Sequence, residues 1–116
     1  MAIINGVEFE IDFTDADFIE KIETGYQEVN KKTEEYKQNR QNAEITNAEG
    51  IRQECKIIKD FFDYVLGDGT SEKLFKGKNS LKQCLQAFED ITIAKEKEIS
   101  DFEARVSKYS PDRLKR

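Results

Sequence analysis

Leu81, Leu85, Phe88, Thr92, Lys95, Ile99, Phe102, Val106 and Tyr109 stand at alternating steps of four and three. That period lays side chains along one face of an α-helix, whereas a strand needs a period of two. Two earlier stripes repeat the pattern. One runs Phe18, Ile22, Tyr26, Val29, Thr33, Tyr36, Arg40 and Ala43; the other runs Ala48, Ile51, Cys55, Ile58, Phe62 and Val65, widened by Phe61 and Leu66. Each stripe needs something apolar to cover it, and three such helices cover one another. The spacing predicts a mainly α fold, a long antiparallel three-helix bundle over about 15–44, 47–66 and 81–109. The first seam weakens from Phe and Ile to Thr, Tyr and Arg, so its second half is expected to be wetter or bound to something else. Cys84, Ala87 and Ile91 broaden the last stripe, so its first half is expected to be buried on two sides and its second half on one.

Punctuation agrees with the periodicity. Thr14, with Asp17 three residues on, reads as the cap of the first helix, and Asn47 as a cap of the second, with one helix running straight through Asn47 as the alternative. Gly67 reads as a C-cap, Asp68-Gly69 as a turn, and Thr70-Ser71-Glu72 as the start of a short helical turn carrying Leu74 and Phe75 and ended by Gly77. Asn79 or Ser80 caps the last helix, and Ser110-Pro111 stops it. Ahead of the helices, Asn5-Gly6 separates Ile3-Ile4 from Val7-Glu8-Phe9-Glu10-Ile11. Asn-Gly supplies the two positive φ angles of a type I′ turn, so residues 1–13 read as a β-hairpin. A lone hairpin is marginal in water, so it must dock on the helices or pair with another chain's edge. The expected organisation is one domain: hairpin 1–13, helical region 14–110 and a basic flexible tail 111–116.

Composition narrows the class. Of 116 residues, 37% are hydrophobic and 37% charged, against averages nearer 45–50% and about 25%. Long helices with wet faces, or a core shared with a second copy, fit that balance. The net charge of −5 makes nucleic acid an unexpected partner. Met1 to Glu35 holds ten acids against three lysines, while the last dozen residues hold Arg105, Lys108, Arg113, Lys115 and Arg116 against Asp112. No run of about 18 apolar residues suggests a membrane span, and MAIINGVEFEID lacks the basic start and apolar centre of a secretion signal. Cys55 and Cys84 fall in apolar helical stretches and read as buried free thiols of a reducing compartment, with a disulfide as the alternative.

The usual carriers of chemistry are scarce. Histidine is absent, which removes the commonest general base and metal ligand. Gly67-Asp68-Gly69-Thr70 lacks both GxGxxG and the GxxxxGK[ST] lysine of a phosphate cradle. Asp60, Asp63, Asp68 and Glu72 miss the alternate-ligand spacing of a calcium loop. Lys73, Lys76, Lys78 and Lys82 form the one plausible anion-facing patch, with a solvated loop as the plainer reading. No catalytic residue, cofactor site or metal site is expected, and the protein is expected not to be an enzyme.

The run Phe61-Phe62-Asp63-Tyr64-Val65-Leu66-Gly67-Asp68-Gly69-Thr70-Ser71-Glu72-Lys73-Leu74-Phe75 carries a resemblance. With Gly77-Lys78-Asn79-Ser80-Leu81, Leu85-Gln86-Ala87-Phe88-Glu89-Asp90 and the Ile4-Asn5-Gly6-Val7-Glu8-Phe9 hairpin, it resembles small proteins of phages and prophages in Gram-positive bacteria. There a helix ends in F-F-D-x-V-x-G-x-G-T, an L-F-x-G segment follows, and the next helix carries A-F-E-D. The resemblance implies a tail-region protein of the host cytoplasm, nearest in kind to a tail assembly chaperone that coats the tape measure protein or meets the tail tube. A minor structural tail or connector protein, and a helical adaptor unrelated to tails, remain alternatives. The residues expected to meet another protein are Val29, Tyr36, Ile99, Phe102, Val106 and Tyr109. The last four would be exposed on a helix outlasting its bundle, and pairing with a second copy, the expected partner, or with the first helix would cover them.

Overall fold

A computed structural model of the chain describes residues 2–42 and 46–108, and the side chains of 40–42 are outside it. The calls on Arg40, Ala43, Tyr109, the Ser110-Pro111 stop and the basic tail therefore lie beyond the described residues. The protein is mainly helical, with a short hairpin and four helices: β1 (Ala2–Ile4), β2 (Val7–Phe9), α1 (Ala16–Asn42), α2 (Asn47–Leu66), α3 (Thr70–Phe75) and α4 (Leu81–Lys108).

The hairpin pairs antiparallel, with Ala2 opposite Phe9 and Ile4 opposite Val7. Asn5 at φ 49° and Gly6 at φ 80° make the left-handed turn that Asn-Gly allows. Alternation does the rest: Ala2 and Ile4 are buried while Ile3 is 60% exposed. The hairpin docks on the helices. The Asn5 backbone N–H donates to Asp90 Oδ2 at 3.0 Å, and its side-chain amide donates to the Leu74 carbonyl at 3.0 Å. Ile11 and Phe13, in the segment that follows, are also buried.

Two helix caps differ from expectation. Thr14 does not cap α1: its backbone N–H and its hydroxyl both donate to the Asp12 carboxylate, which holds that carboxyl below its usual range. The cap falls one residue later, on Asp15, whose carboxylate accepts the Asp17 N–H at 3.2 Å and whose carbonyl accepts the Ile19 N–H at 3.0 Å. Thr46 rather than Asn47 caps α2. Its backbone is still extended (φ −66°, ψ 159°), which lets its hydroxyl accept the Glu49 N–H. For α4 the alternatives resolve to Ser80, whose hydroxyl accepts the Gln83 N–H at 3.4 Å, while the Asn79 side chain accepts Lys59 Nζ at 2.8 Å.

Gly67 closes α2 at φ 108°, and its N–H donates to the Asp63 carbonyl. The Asp63 carboxylate accepts both the backbone N–H and the hydroxyl of Ser71 at 2.8 Å. Thr70 donates its hydroxyl to the Gly67 carbonyl at 2.7 Å. The bend between α2 and α3 is thus closed from both sides.

The core sits where the helices and the hairpin meet. Phe13, Phe62, Phe75, Ile4, Ile22, Ile91, Cys55 and Cys84 are its largest fully buried side chains. Phe61 stands in an aromatic cluster, 5.4 Å from Tyr26, 5.2 Å from Phe62 and 5.1 Å from Phe88 between ring centroids. Helix α1 approaches α2 closely at Gly25, where a Cβ would lie 2.9 Å from the Phe61 ring and 3.1 Å from Val65. The α1–α4 contact is set by Tyr26, whose hydroxyl shares a 3.0 Å hydrogen bond with Thr92. Burial pushes the Tyr26 phenol up, and the Thr92 bond partly offsets the rise.

The α4 seam is rotated from the expected one. Cys84, Ala87 and Ile91 are fully buried, but Leu85, central to the predicted stripe, is 52% exposed. Helix α4 meets α2 and β1 along the Cys84–Ile91 line, which leaves Leu85 at the side. Tyr36 departs the other way. It is 6% exposed, so the later part of the α1 seam is dry at that position. The molecule measures 63 × 29 × 21 Å, and no helix among the described residues is long and apolar enough to cross a membrane.

Candidate functional site

Among the described residues, two apolar surfaces stand out where helices differ in reach, beside a hollow between α1 and α2 lined by Gly25, Val29, Ile57, Phe61 and Tyr64. The first is a groove lined by Val29 and Thr33 of α1, Glu54, Ile57 and Ile58 of α2, and Leu81, Leu85 and Phe88 of α4. It encloses about 300 Å³, and Glu54 is its one charged wall. Leu81 is the first residue of α4. Leu85 on the α4 side (52% exposed) and, one turn before Glu54 on α2, Ile51 (38% exposed) are partly uncovered there.

The second feature is the end of α4. Ile99 is half-buried against the core, but every residue from Ser100 to Lys108 is exposed. Phe102 is 44% and Val106 51% exposed. Phe102 stands 18 residues beyond Cys84, about five turns on, so it occupies the same helix face as that fully buried thiol. The face that makes the core continues beyond the part of the chain that covers it.

The structure therefore separates the expected interaction residues. Val29 is half-buried and lines the groove; Ile99 marks where burial stops; Phe102 and Val106 form the uncovered stripe. Tyr36 is 6% exposed and borders a hollow between α1 and α2 with Gln53, Lys56 and Ile57. Leu85 was missed as a surface residue. Cys84, Ala87 and Ile91 make a second apolar line beside it in the sequence, and spacing alone does not choose between the two.

The candidate chemical groups have structural employment. Asp63 is committed to Ser71, and Asp60 lies 2.9 Å from Lys56 and 3.7 Å from Lys32. Among the described residues, no cluster of three or more His, Cys, Asp or Glu side chains could hold a metal. Both thiols are free and buried. Burial, then the neighbouring Cys55 thiol, pushes Cys84 up to about 12, which keeps it protonated and a poor nucleophile at neutral pH. Of the lysine patch, Lys73, Lys76 and Lys78 border a hollow beside the hairpin turn, with Asn5, Gly6 and Gln83 opposite, and Lys73 lies over the Phe9 ring at 5.7 Å.

The quoted motifs turn out to be fold determinants. Phe61 and Phe62 fill the core, Asp63 closes the α2–α3 bend, Gly67 and Gly77 supply positive φ, and Leu74 and Phe75 are buried. In the A-F-E-D run, Ala87 is buried, Phe88 joins the aromatic cluster and Asp90 receives the hairpin. No curated protein matches the chain, and no solved structure does. The model of a family of unknown function, DUF6673, matches residues 5–116, from the hairpin turn to the last residue, and the chain belongs to that family.

Proposed function

We propose that this protein is a non-enzymatic phage or prophage morphogenesis protein, a tail assembly chaperone that holds a helical segment of the tape measure protein. The groove between Val29, Ile57, Ile58, Leu81, Leu85 and Phe88 is the observation that carries this reading. A helix presents apolar anchors at i, i+3, i+4 and i+7, and an open apolar trough between helices receives that pattern. A tape measure protein is a long helical chain that must be kept from aggregating while a tube grows around it. The motif resemblance supplies the tail context, and the groove supplies a means of holding.

In this reading α1, α2 and α4 make a three-helix bundle in which α1 runs antiparallel to the other two. Gly25 beside Phe61 and Val65, and Tyr26 beside Phe88 and Thr92, support that arrangement. The third helix starts late and so leaves the trough open. The protein would act in the host cytoplasm, where its two thiols stay reduced.

The test is co-purification with helical fragments of a phage tape measure protein. The wild-type chain should retain them, and Leu85→Asp should weaken retention about tenfold or more while leaving the circular dichroism of the free protein unchanged. Mature particles should lack the protein by mass spectrometry. Its presence there in stoichiometric amount, or equal retention by Leu85→Asp, would contradict the proposal.

A further inference from the structure

The exposed end of α4 is a different surface from the groove, and it has a charge pattern of its own. Upstream, Glu96, Glu98, Asp101 and Glu103 outnumber Lys97; downstream, the last turn carries Arg105 and Lys108. The apolar stripe of Phe102 and Val106 runs through the point where the sign changes. We infer that the protein forms a two-fold dimer in which the exposed ends of α4 pair antiparallel, Phe102 of one copy packing on Val106 of the other. This does not rest on the tail reading, since it concerns a second copy of the chain and no client.

Charge selects the direction. An antiparallel pair sets each basic last turn beside the partner's acidic turns, whereas a parallel pair stacks like on like. With Phe102 opposite Val106 of the second copy, Asp101 of each helix comes within two residues of level with Arg105 of the other, on the same flank of the seam. Asp101 already receives Lys97 at 3.1 Å on its own helix, and being exposed it can take a second cation. The two-fold axis makes every favourable contact occur twice. Overlap can begin at Ser100, where burial by the chain's own core ends, so the pairing does not compete with the fold.

Light scattering on the full chain, at low salt and over a range of concentrations, tests this. The wild-type protein should give twice the 13.5 kDa chain mass. Phe102→Asp and Val106→Asp should each weaken dimerisation about a hundredfold or more without loss of helical circular dichroism, because neither side chain belongs to the core. Asp101→Lys and Arg105→Asp should each weaken it about fivefold, and the double variant Asp101→Lys/Arg105→Asp should restore it. A wild-type chain that stays at 13.5 kDa at several hundred micromolar would overturn the dimer. So would an unchanged mass in Phe102→Asp. A double variant weaker than either single one would overturn the antiparallel pairing.

Discussion

Helix α4 contains two regions with the same sequence rhythm and opposite surroundings. From Leu81 to Ile99 it presses Cys84, Ala87 and Ile91 to zero exposure against α2 and the hairpin, whereas from Ser100 to Lys108 it buries nothing. Phe102 and Val106 continue the same face. Period therefore says which face of a helix wants covering, but it does not say whether the chain has anything left to cover it with. That second fact depends on the reach of neighbouring elements. Here the hairpin ends its contact with α4 near Asp101, where Ala2 and Ile3 share a hollow with Ala94, Lys97, Glu98 and Asp101.

The contrast can be broken by mutation, and the largest effect should come from the buried half. Ile91→Ala should destabilise the protein by about 3 kcal/mol, from lost transfer energy plus a cavity that rigid neighbours cannot close. Denaturant melts check it; a loss below about 1 kcal/mol would mean that the seam is loosely packed.

A second effect is read in alkali. Cys84 is raised from its ordinary 9.0 to about 12 in the fold, so the unfolded chain ionises this thiol first. Its contribution to stability is fully present below pH 9 and is lost progressively as pH climbs toward 12. The decline of stability between pH 9 and 11 should be shallower in Cys84→Ala than in the wild type. An equal slope would place that thiol in a wetter site. The smallest effect belongs to the exposed half: Val106→Ala should leave the stability of the monomer within about 0.5 kcal/mol.

Much of the fold was legible because its signals are local. Asn5-Gly6 dictates a turn, Gly67 a helix end, and the three stripes three helices. Cap positions slipped by one residue where neighbours compete for the same role. Thr14 satisfies Asp12 instead, and Thr46 precedes Asn47 in reaching an extended backbone. Phe13 and Ala2 lie outside the helical stripes: Ala2 is buried where β1 meets α4, and Phe13 is buried with its ring 5.8 Å from that of Phe18 in α1. Leu85 shows the limit of reading a face from spacing. Rotation of the α4 seam by a fraction of a turn moves Leu85 out, and tertiary contact fixes that rotation.

The candidate surfaces were legible to different degrees for the same reason. Phe102 and Val106 could be found because they lie beyond the densest part of the last stripe. The groove could not, since it is made where three separated segments fail to reach one another. The family motifs pointed elsewhere, to residues that hold the bends and the core in place.

Amide hydrogen exchange on the full chain, followed over a hundredfold range of protein concentration, probes the two halves of α4 in one experiment. Protection over Leu81–Ile99 should stay constant, because the chain's own core provides it, while protection over Ser100–Lys108 should rise as a second copy covers it. Exchange in the last nine residues that is indifferent to concentration would contradict the account.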